Sequence, residues 1–182
     1  LDVLERESGD PSRRDVLRDA SGELVRIDQI LRELLQFARP KPPALVPFDL
    51  DALVRNAVAL TVPADADAPR IRCEIDGALP AAMGDAGLVR QVLVNLLLNA
   101  QHASGETGEV VISTGRHDGQ LWCRVRDTGA GVPAEKAETI FRPFVTTKTR
   151  GTGLGLSISR RIVELHGGRL ALDNPGEPGA SF

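Results

Sequence analysis

The helix-forming stretch QVLVNLLLNAQHAS, residues 91–104, carries the strongest structural signal in the chain, because two amides interrupt an otherwise apolar run. Asn95 and Asn99 are four residues apart and share one helix face, with His102 close to the same line. A buried amide without a partner costs about 1–3 kcal/mol, so a polar group must lie against this face. Two alternatives could provide this polar group. One is neighbouring loop backbone, and the other is a hard cation that binds the Asn99 carbonyl oxygen and also holds phosphates.

A second stretch, LWCRVRDTGAGVP at residues 121–133, alternates like a half-buried strand. Asp127 has the phase of the inward-facing set, whose other members are Leu121, Cys123 and Val125. The glycines Gly129 and Gly131 follow it. The pattern is either a structural turn or a buried acceptor for an exocyclic amine, with glycines that let the backbone close on a flat ring.

A third stretch, GTGLGLSISRRIVELHGG at residues 151–168, places glycines before a helix. Gly151, Gly153 and Gly155 lead into the helix start, where free N–H groups and the positive end of the helix dipole favour an anion. No Gly-Lys-Ser/Thr follows and no strand leads directly into it, so it is neither a P-loop nor the dinucleotide fingerprint. A flexible approach to the helix is the alternative reading.

The remaining pattern predicts an α+β fold, a mostly antiparallel sheet with helices on one face. The predicted elements are helix Leu50–Leu60, strand Ile71–Ile75, helix Ala86–Ala103, strands Glu109–Thr114 and Gln120–Asp127 around an Asp118-Gly119 turn, a helical turn at 133–140, helix Gly153–His166 and strand Arg169–Leu172.

The first forty residues differ from the rest. A helix start at Asp10-Pro11 precedes an apolar seam at alternating spacings of three and four: Leu17, Ala20, Leu24, Ile27, Leu31, Leu34 and Ala38. Such a narrow seam favours a partner helix, whose end we expect at residues 1–7, over an amphipathic helix lying on a core. A Pro-rich linker, residues 40–48, then stops the helix.

Composition excludes several classes of function. The formal net charge is −3 and the aromatic content is five Phe, one Trp and no Tyr, so nucleic-acid binding is not expected. No apolar run approaches the ~20 residues that span a bilayer. Cys73 and Cys123 fit ordinary core cysteines of a reducing compartment, and His117 and His166 fit surface positions.

In order and spacing, these motifs resemble those of sensor histidine kinases. NLLLNA resembles their N box, DTGAGVP the G1 box, IFRPFVTTK the F box and GTGLGL the G2 box. The resemblance runs from Leu50 to Phe182 and extends to the wider superfamily of gyrase, heat-shock ATPases and mismatch-repair proteins with its Bergerat nucleotide fold. Upstream, LLQFARPKPP resembles the end of the second dimerisation helix in nitrogen-regulation-type kinases.

The resemblance implies a domain plan and an activity. Residues 1–39 would be the end of the helical-hairpin dimerisation and phosphotransfer region, residues 40–48 a linker, and residues 49–182 a two-layer α/β sandwich that binds ATP and Mg²⁺, cut short within its last strand. The implied enzyme is a cytoplasmic protein-histidine kinase, soluble or membrane-anchored as a whole. Its implied partners are a second copy through the hairpin and a response-regulator receiver domain, with no nucleic acid and no membrane segment in this chain.

The resemblance also implies roles for individual residues. Asn99 would be the Mg²⁺ ligand, Asn95 would support it or the phosphates, and Asp127 would accept a hydrogen bond from the adenine amino group. Gly129 and Gly131 would shape the base pocket. A mobile lid, from about Pro133 to Thr152, would be anchored by Phe141 and Phe144. The remaining implied ATP contacts are His102, Thr146, Thr147, Lys148, Gly151, Thr152, Gly153, Leu154, Gly155 and Leu156.

The chain departs from the family pattern at the phosphoacceptor, and two rival hypotheses remain. Residues 1–40 contain no His, so the phosphoacceptor would lie upstream of Leu1. In clamp-type ATPases of the gyrase and heat-shock class, a Glu one turn before the magnesium Asn activates water, and here that position is Asn95, which is no base. A nucleotide-sensing or dimerisation module without kinase activity is the second rival; the presence of Asn99, Asp127 and Gly153 argues against it.

Overall fold

A computed structural model of the chain describes residues 16–17, 20–24, 27–28, 31, 34–35, 42–62, 70–148 and 151–182. The chain divides into two units, the first ending at Lys41 and the second beginning at Pro42. This boundary falls inside the predicted linker, residues 40–48, and the identity of the domains on either side stays a prediction. Among the described residues, no helix combines the length and apolar character needed to cross a bilayer.

In the first unit, every described residue between 16 and 35 is helical. Five apolar seam residues are solvent-exposed: Ala20, Leu24, Ile27, Leu31 and Leu34. This is the surface that a seam shared with a second helix would present on a single chain. The predicted helix start at Asp10-Pro11, the predicted partner helix at residues 1–7 and the seam residue Ala38 lie outside the described residues.

The second unit alternates strands and helices. In chain order it contains β1 (Val46–Phe48), α1 (Leu50–Thr61), β2 (Arg70–Glu74), β3 (Ala82–Gly84), α2 (Ala86–Ser104), β4 (Glu109–His117), β5 (Gln120–Asp127), two short 3₁₀ helices (Ala134–Lys136 and Thr139–Phe141) and α3 (Gly155–Leu165). The α+β prediction is confirmed.

The strands form two sheets. In the larger sheet, β4 pairs with β2 in parallel and with β5 antiparallel, in the order β2-β4-β5. The β4–β5 hairpin closes through Asp118 and Gly119, whose φ angles of 48° and 80° are the pair of positive values that a tight two-residue turn requires. β1 and β3 form a separate antiparallel pair.

Side-chain alternation and helix capping explain why these elements form. Along β5 the inward phase predicted from the sequence is confirmed, because Val125 and Asp127 are buried while Arg124 and Arg126 are exposed. The core joins α1, α2 and α3 to β4 and β5, and its most buried apolar members are Val54, Leu97, Val110, Ile112, Val125 and Leu154. α1 and α2 start at aspartate caps, Asp49 and Asp85.

The Asp85 carboxylate connects several backbone segments at the start of α2. It accepts hydrogen bonds from the N–H groups of Leu88, Gly87 and Ala44 at 3.2, 3.0 and 3.2 Å. The Leu88 amide, followed by the Ala44 amide, holds the pKa of this carboxyl below its ordinary value.

The structure corrects four expectations. Residues 169–172 belong to no strand, because the free edge of β5 is taken by Ala180–Phe182: Val125 and Phe182 exchange two N–H···O bonds of 2.9 Å. Part of the predicted linker, Val46–Phe48, is a strand. Cys73 is exposed rather than in the core.

The fourth correction concerns His166, which is half-buried rather than a surface residue. Its Nε2 accepts the Asp85 N–H at 2.9 Å, and its Nδ1 lies 2.7 Å from the Ile162 carbonyl oxygen. These contacts tie the end of α3 to the start of α2. A Cβ at Gly84 would lie 2.8 Å from the imidazole Cδ2, so the ring also packs against β3.

Candidate functional site

The buried carboxylate of Asp127 ends β5. Only 4% of the residue is exposed, and its Oδ1 accepts hydrogen bonds from the N–H groups of Gly129 and Ala180 at 2.9 and 3.1 Å. Among the described residues, none donates to Oδ2. A buried carboxylate oxygen needs a donor, so Oδ2 is the atom that fits a ligand amine.

The glycines after Asp127 allow the backbone to approach other backbone closely. A Cβ at Gly129 would lie 2.5 Å from the carbonyl oxygen of Ala103, and one at Gly131 would lie 2.0 Å from that of Glu177. Gly131 also has a φ of +78°. In this structure the glycines therefore admit protein backbone, and their role in shaping a base pocket stays a prediction.

The polar face of α2 is satisfied by side chains from the lid and from α3. Asn99 Oδ1 accepts a hydrogen bond from Lys148 Nζ at 2.6 Å, and Asn99 Nδ2 donates to Asn95 Oδ1 at 3.5 Å. Asn95 Nδ2 in turn donates to Ser159 Oγ at 3.0 Å. The Asn99 oxygen thus already binds a cation, which is an ammonium of the protein itself. Burial lowers the pKa of the Lys148 ammonium.

The lid is held at Phe141 and exposed beyond it. The Phe141 ring is buried, packs edge-on against Phe182 with centroids 6.2 Å apart, and lies under the Arg160 guanidinium at 5.1 Å. The Phe144 side chain is 65% exposed, so the expectation that it anchors the lid is wrong. Its backbone N–H instead donates to the Gly153 carbonyl oxygen at 2.9 Å.

Several expected phosphate contacts serve the local backbone here. Thr146 Oγ1 accepts the Lys148 N–H at 3.1 Å, and Thr152 Oγ1 accepts the Leu154 N–H at 3.2 Å. Gly153 has a φ of +69°, and its Cβ would lie 2.5 Å from the Phe144 carbonyl carbon. Gly151 N–H donates to the Lys148 carbonyl at 3.2 Å.

The start of α3 offers free donors. The first helical bond runs from the Ile158 N–H to the Leu154 carbonyl at 2.9 Å. In the described part of the chain, the N–H groups of Gly155, Leu156 and Ser157 have no acceptor. The Leu154 side chain is fully buried and its N–H is bonded to Thr152, whereas Leu156 packs partly against the core and can offer a ligand its backbone N–H. Three orphan amides at a helix start suit an anion.

These features are ordered along α2 at one-turn intervals. Gly129 lies against Ala103, Lys148 bonds to Asn99, and Gly155 lies against Asn95, where its Cβ would be 2.4 Å from Oδ1. Four helical residues span about 6 Å, so the three contacts follow one another along about 12 Å of helix. The exposed side chains of His102 and Thr147 take part in none of these contacts.

The donor set fits both a nucleotide and a hard cation. Within the described part of the chain, Asp127 Oδ2 is a buried acceptor without a donor and the first three amides of α3 are donors without an acceptor, while Asn99 Oδ1 already accepts from a positive group. The sequence did not predict the roles of Ser159 and Ala180, which bond to Asn95 and Asp127. The spacing of Ser159 from Gly155, one turn along the same helix, was the available signal for the first.

Comparisons of sequence agree with this arrangement. A profile of the family described as histidine kinase-, DNA gyrase B-, and HSP90-like ATPase matches residues 84–182. The signal transduction histidine-protein kinase AtoS of Escherichia coli (strain K12) is 33% identical over 185 residues, covering 100% of this chain and 30% of AtoS. The sensor histidine kinase ZraS of Escherichia coli O157:H7 is 36% identical over 162 residues, covering 88% of this chain and 35% of ZraS. The chain spans about a third of the length of these curated relatives.

Solved structures give the same result. Full-length ShkA in complex with AMPPNP superposes with a TM-score of 0.82 at 30% identity, covering 96% of this chain and 38% of ShkA. The histidine kinase ThkA in complex with the response regulator TrrA gives a TM-score of 0.74 at 27% identity, covering 99% of this chain and 53% of ThkA. The chain therefore belongs to the family of histidine kinase-, DNA gyrase B- and HSP90-like ATPases, and its second unit is an ATPase domain of the sensor histidine kinase type.

Proposed function

We propose that this chain is the ATP-binding catalytic part of a two-component sensor histidine kinase, which transfers the γ-phosphoryl group of ATP to a His side chain of its dimerisation region. The observation that carries the proposal is the order of groups along α2. The Asp127 loop lies at Ala103, Asn99 follows one turn earlier, and the free amides of α3 begin beside Asn95. That order suits the base, the cation and the phosphates of one nucleotide.

Asp127 would recognise the base. Its Oδ1 is committed to two backbone N–H groups, which leaves Oδ2 to accept from the exocyclic amine of adenine. A guanine in the same position would present a carbonyl oxygen to the carboxylate, and the resulting repulsion would select ATP over GTP.

Asn99 would hold Mg²⁺ through Oδ1, and the amides of Gly155, Leu156 and Ser157 would bind phosphate oxygens. Mg²⁺, when bound, neutralises charge on the transferring phosphates. Lys148 would give up Asn99 and move its ammonium to the phosphates as the lid orders. The protein contributes position and charge, because the acceptor imidazole is its own nucleophile: its nitrogen bonds to the γ-phosphorus as the bond to ADP breaks.

The acceptor and the partners lie outside the described site. Residues 1–41 contain no His, so the acceptor would belong to a part of the protein outside this sequence. The phosphoryl group would pass to an Asp of a response regulator; ThkA, a structural relative, was solved with one. We also propose that this part of the protein lies in the cytoplasm, where it would have access to ATP and to the regulator.

The exposed seam supports a homodimer through the helical region. Replacing Leu24 and Leu31 by Asp would bury charge in such an interface. In a chain extended by its upstream helix, sedimentation should therefore change from dimer to monomer, whereas the exposed change Arg90→Ala on α2 should leave the dimer intact. A monomer before any substitution would contradict this part of the proposal.

The rival function, a clamp-type ATPase that hydrolyses ATP with an activated water, is disfavoured. A water-activating base is missing at Asn95, whose carboxamide takes no proton from water and is already bonded to Ser159. The chain alone should therefore bind ATP but hydrolyse only traces of it.

Label transfer from ATP tests the proposal. The chain, mixed with a separately purified helical region that carries the acceptor His, should form an acid-labile, base-stable phosphoramidate. Asn99→Ala should abolish the label and Arg90→Ala, an exposed change on the same helix, should not. Robust hydrolysis by the chain alone would favour the clamp ATPase. ATP binding without transfer would favour a nucleotide-sensing module.

A further inference from the structure

A line of side-chain hydrogen bonds runs from the candidate cation site into the core and ends at Ser159. Ser159 lies on α3 and is only 2% exposed. Its Oγ accepts from Asn95 Nδ2 at 3.0 Å, and Asn95 Oδ1 accepts from Asn99 Nδ2 at 3.5 Å. At the outer end, Asn99 Oδ1 accepts from the Lys148 ammonium. Ser159 is thus the buried end of a path whose other end meets a cation.

The direction of these bonds matters because a carboxamide has nearly the same shape either way round. Turning the amide of Asn99 by 180° would present Nδ2, a donor, where a cation needs an oxygen. In the observed arrangement both amides donate toward the core and accept toward the site. A positive charge at the outer end therefore polarises the whole path in the same sense and strengthens it.

Gly155 sterically restricts the side-chain amide of Asn95, the middle member of the path. A Cβ at Gly155 would lie 2.4 Å from Asn95 Oδ1 and 3.1 Å from its Cγ, so the amide packs directly on the first residue of α3. Ser159 follows one turn later on the same helix. Asn95 is consequently enclosed between backbone at one position and a hydroxyl at the next.

We infer that Ser159 is a positioning residue: through Asn95 it turns the Asn99 side chain so that Oδ1 faces the cation that accompanies the nucleotide. The inference rests on the proposed function, because it assumes that Asn99 binds Mg²⁺. Ser159 itself touches neither cation nor nucleotide.

Ser159→Ala removes the acceptor for Asn95 Nδ2 and leaves a buried donor unpaired. The Asn95 amide can then turn, and Asn99 loses the partner that fixes its own direction. We expect the gain in ATP affinity that Mg²⁺ provides to fall about fivefold to tenfold, while the affinity measured in a chelator stays within about twofold.

The matched control is Thr61→Val. Thr61 is a buried threonine at the end of α1, and its Oγ1 donates to the Ala57 and Val58 carbonyl oxygens at 3.2 and 3.0 Å and touches no member of the path. It should lose thermal stability to a similar degree without a change in the Mg²⁺ gain. Ser159→Cys, which keeps a weak acceptor, should recover part of the gain.

Calorimetric titration of ATP with Mg²⁺ and with a chelator, on the four proteins, separates the possibilities. A Mg²⁺ gain in Ser159→Ala equal to that of the unchanged chain would overturn the inference and leave the proposed function standing. No Mg²⁺ gain in the unchanged chain would overturn both.

A second measurement needs no nucleotide. In spectra of ¹⁵N-labelled protein, the side-chain NH₂ signals of Asn95 and Asn99 should be separately resolved and slow to exchange in the unchanged chain and in Thr61→Val. In Ser159→Ala they should move toward the positions of free amides. Unchanged signals in Ser159→Ala would refute the positioning role even if affinity fell.

Discussion

The two ends of the candidate site are held by different parts of the protein. At the base end, the Asp127 carboxylate accepts two backbone N–H groups and is almost wholly buried. At the cation end, Asn99 is held by the side chain of Lys148 from the lid and by a long contact with Asn95. Backbone fixes the first end, and side chains that a ligand can displace hold the second.

On the proposed function, this difference would let one site recognise a base before it orders the phosphates. The lid is packed at Phe141, whereas Phe144 and Val145 are exposed. A preformed base pocket would need little rearrangement, while the end proposed for the phosphates would have to exchange a lysine for a ligand. We therefore expect substitutions at the base end to change stability and affinity for all adenine nucleotides, and changes at the other end to depend on the triphosphate.

The largest effect is expected from Gly131→Ala, which tests how rigid the base end is. A Cβ there would lie 2.0 Å from the Glu177 carbonyl oxygen, at a φ of +78°. Strain and overlap together should lower the free energy of unfolding by about 3–4 kcal/mol, as measured by urea denaturation.

Gly77→Ala is the matched control, since Gly77 has the same φ of +78° and no atom within 4 Å of the added Cβ. It should cost only the backbone strain, about 1–2 kcal/mol. An equal loss of unfolding free energy in the two variants would mean that the backbone around Gly131 moves aside easily, which would contradict a rigid base end.

Asp127→Asn should have the next largest effect. The new side chain can keep its oxygen on the two backbone amides, which directs its NH₂ group at the adenine amine. We expect a loss of about 2 kcal/mol, or about 30-fold in affinity, equally for ATP and ADP. Calorimetry gives the value. Asp118→Asn, at the exposed hairpin turn, should change nothing, and unaltered affinity in Asp127→Asn would reject the assignment of Asp127.

Hydrogen exchange should distinguish the two ends directly. Amides of Arg142–Thr147 in the lid should exchange about tenfold more slowly with a non-hydrolysable ATP analogue and Mg²⁺ than without. Amides of Val125 and Asp127, bonded to the carbonyls of Phe182 and Ala180, should be slow in both states. Strong protection of the lid without nucleotide would remove the contrast.

The smallest effect is expected at Cys123, a thiol on β5 that packs against the core. Burial, and after it the nearby Asp51 carboxylate, raises the pKa of this thiol to about 12, so almost no thiolate exists near neutral pH. In a Cys73→Ser variant, which removes the exposed thiol, alkylation of Cys123 should be slow and change less than twofold with nucleotide. Rapid alkylation that nucleotide suppresses would show that the base end opens.

Sequence periodicity predicted the elements that carry the site. The apolar run of α2 and the alternation of β5 have the right lengths, and the phase of Asp127 was enough to predict that it is buried. The hairpin followed from Asp118-Gly119, because few residue pairs accept two positive φ angles. Such features depend on short-range rules that one chain segment obeys by itself.

What the sequence missed depends on contacts between distant segments. His166 is half-buried because it meets Asp85, 81 residues earlier, and Ser159 bonds to Asn95 across 64 residues. β1 was overlooked because Pro47 lies in a proline-rich stretch, yet a proline is tolerated in a two-stranded pair. The family resemblance implied that Phe144 anchors the lid, but only its backbone N–H is bonded, to the Gly153 carbonyl oxygen.

The hydrogen bond from the Lys148 ammonium to Asn99 affects how readily dissolved magnesium could bind to Asn99. A cation tethered to the same chain acts at an effective concentration of about millimolar or more, which dissolved Mg²⁺ must exceed to replace it. On the proposed function, free Mg²⁺ alone would therefore be a poor competitor for Asn99, whereas a triphosphate would bring its own metal and offer the displaced lysine a new partner. The nucleotide-free domain would thereby be buffered against changes in ambient magnesium and would respond to the metal–nucleotide complex as a single ligand.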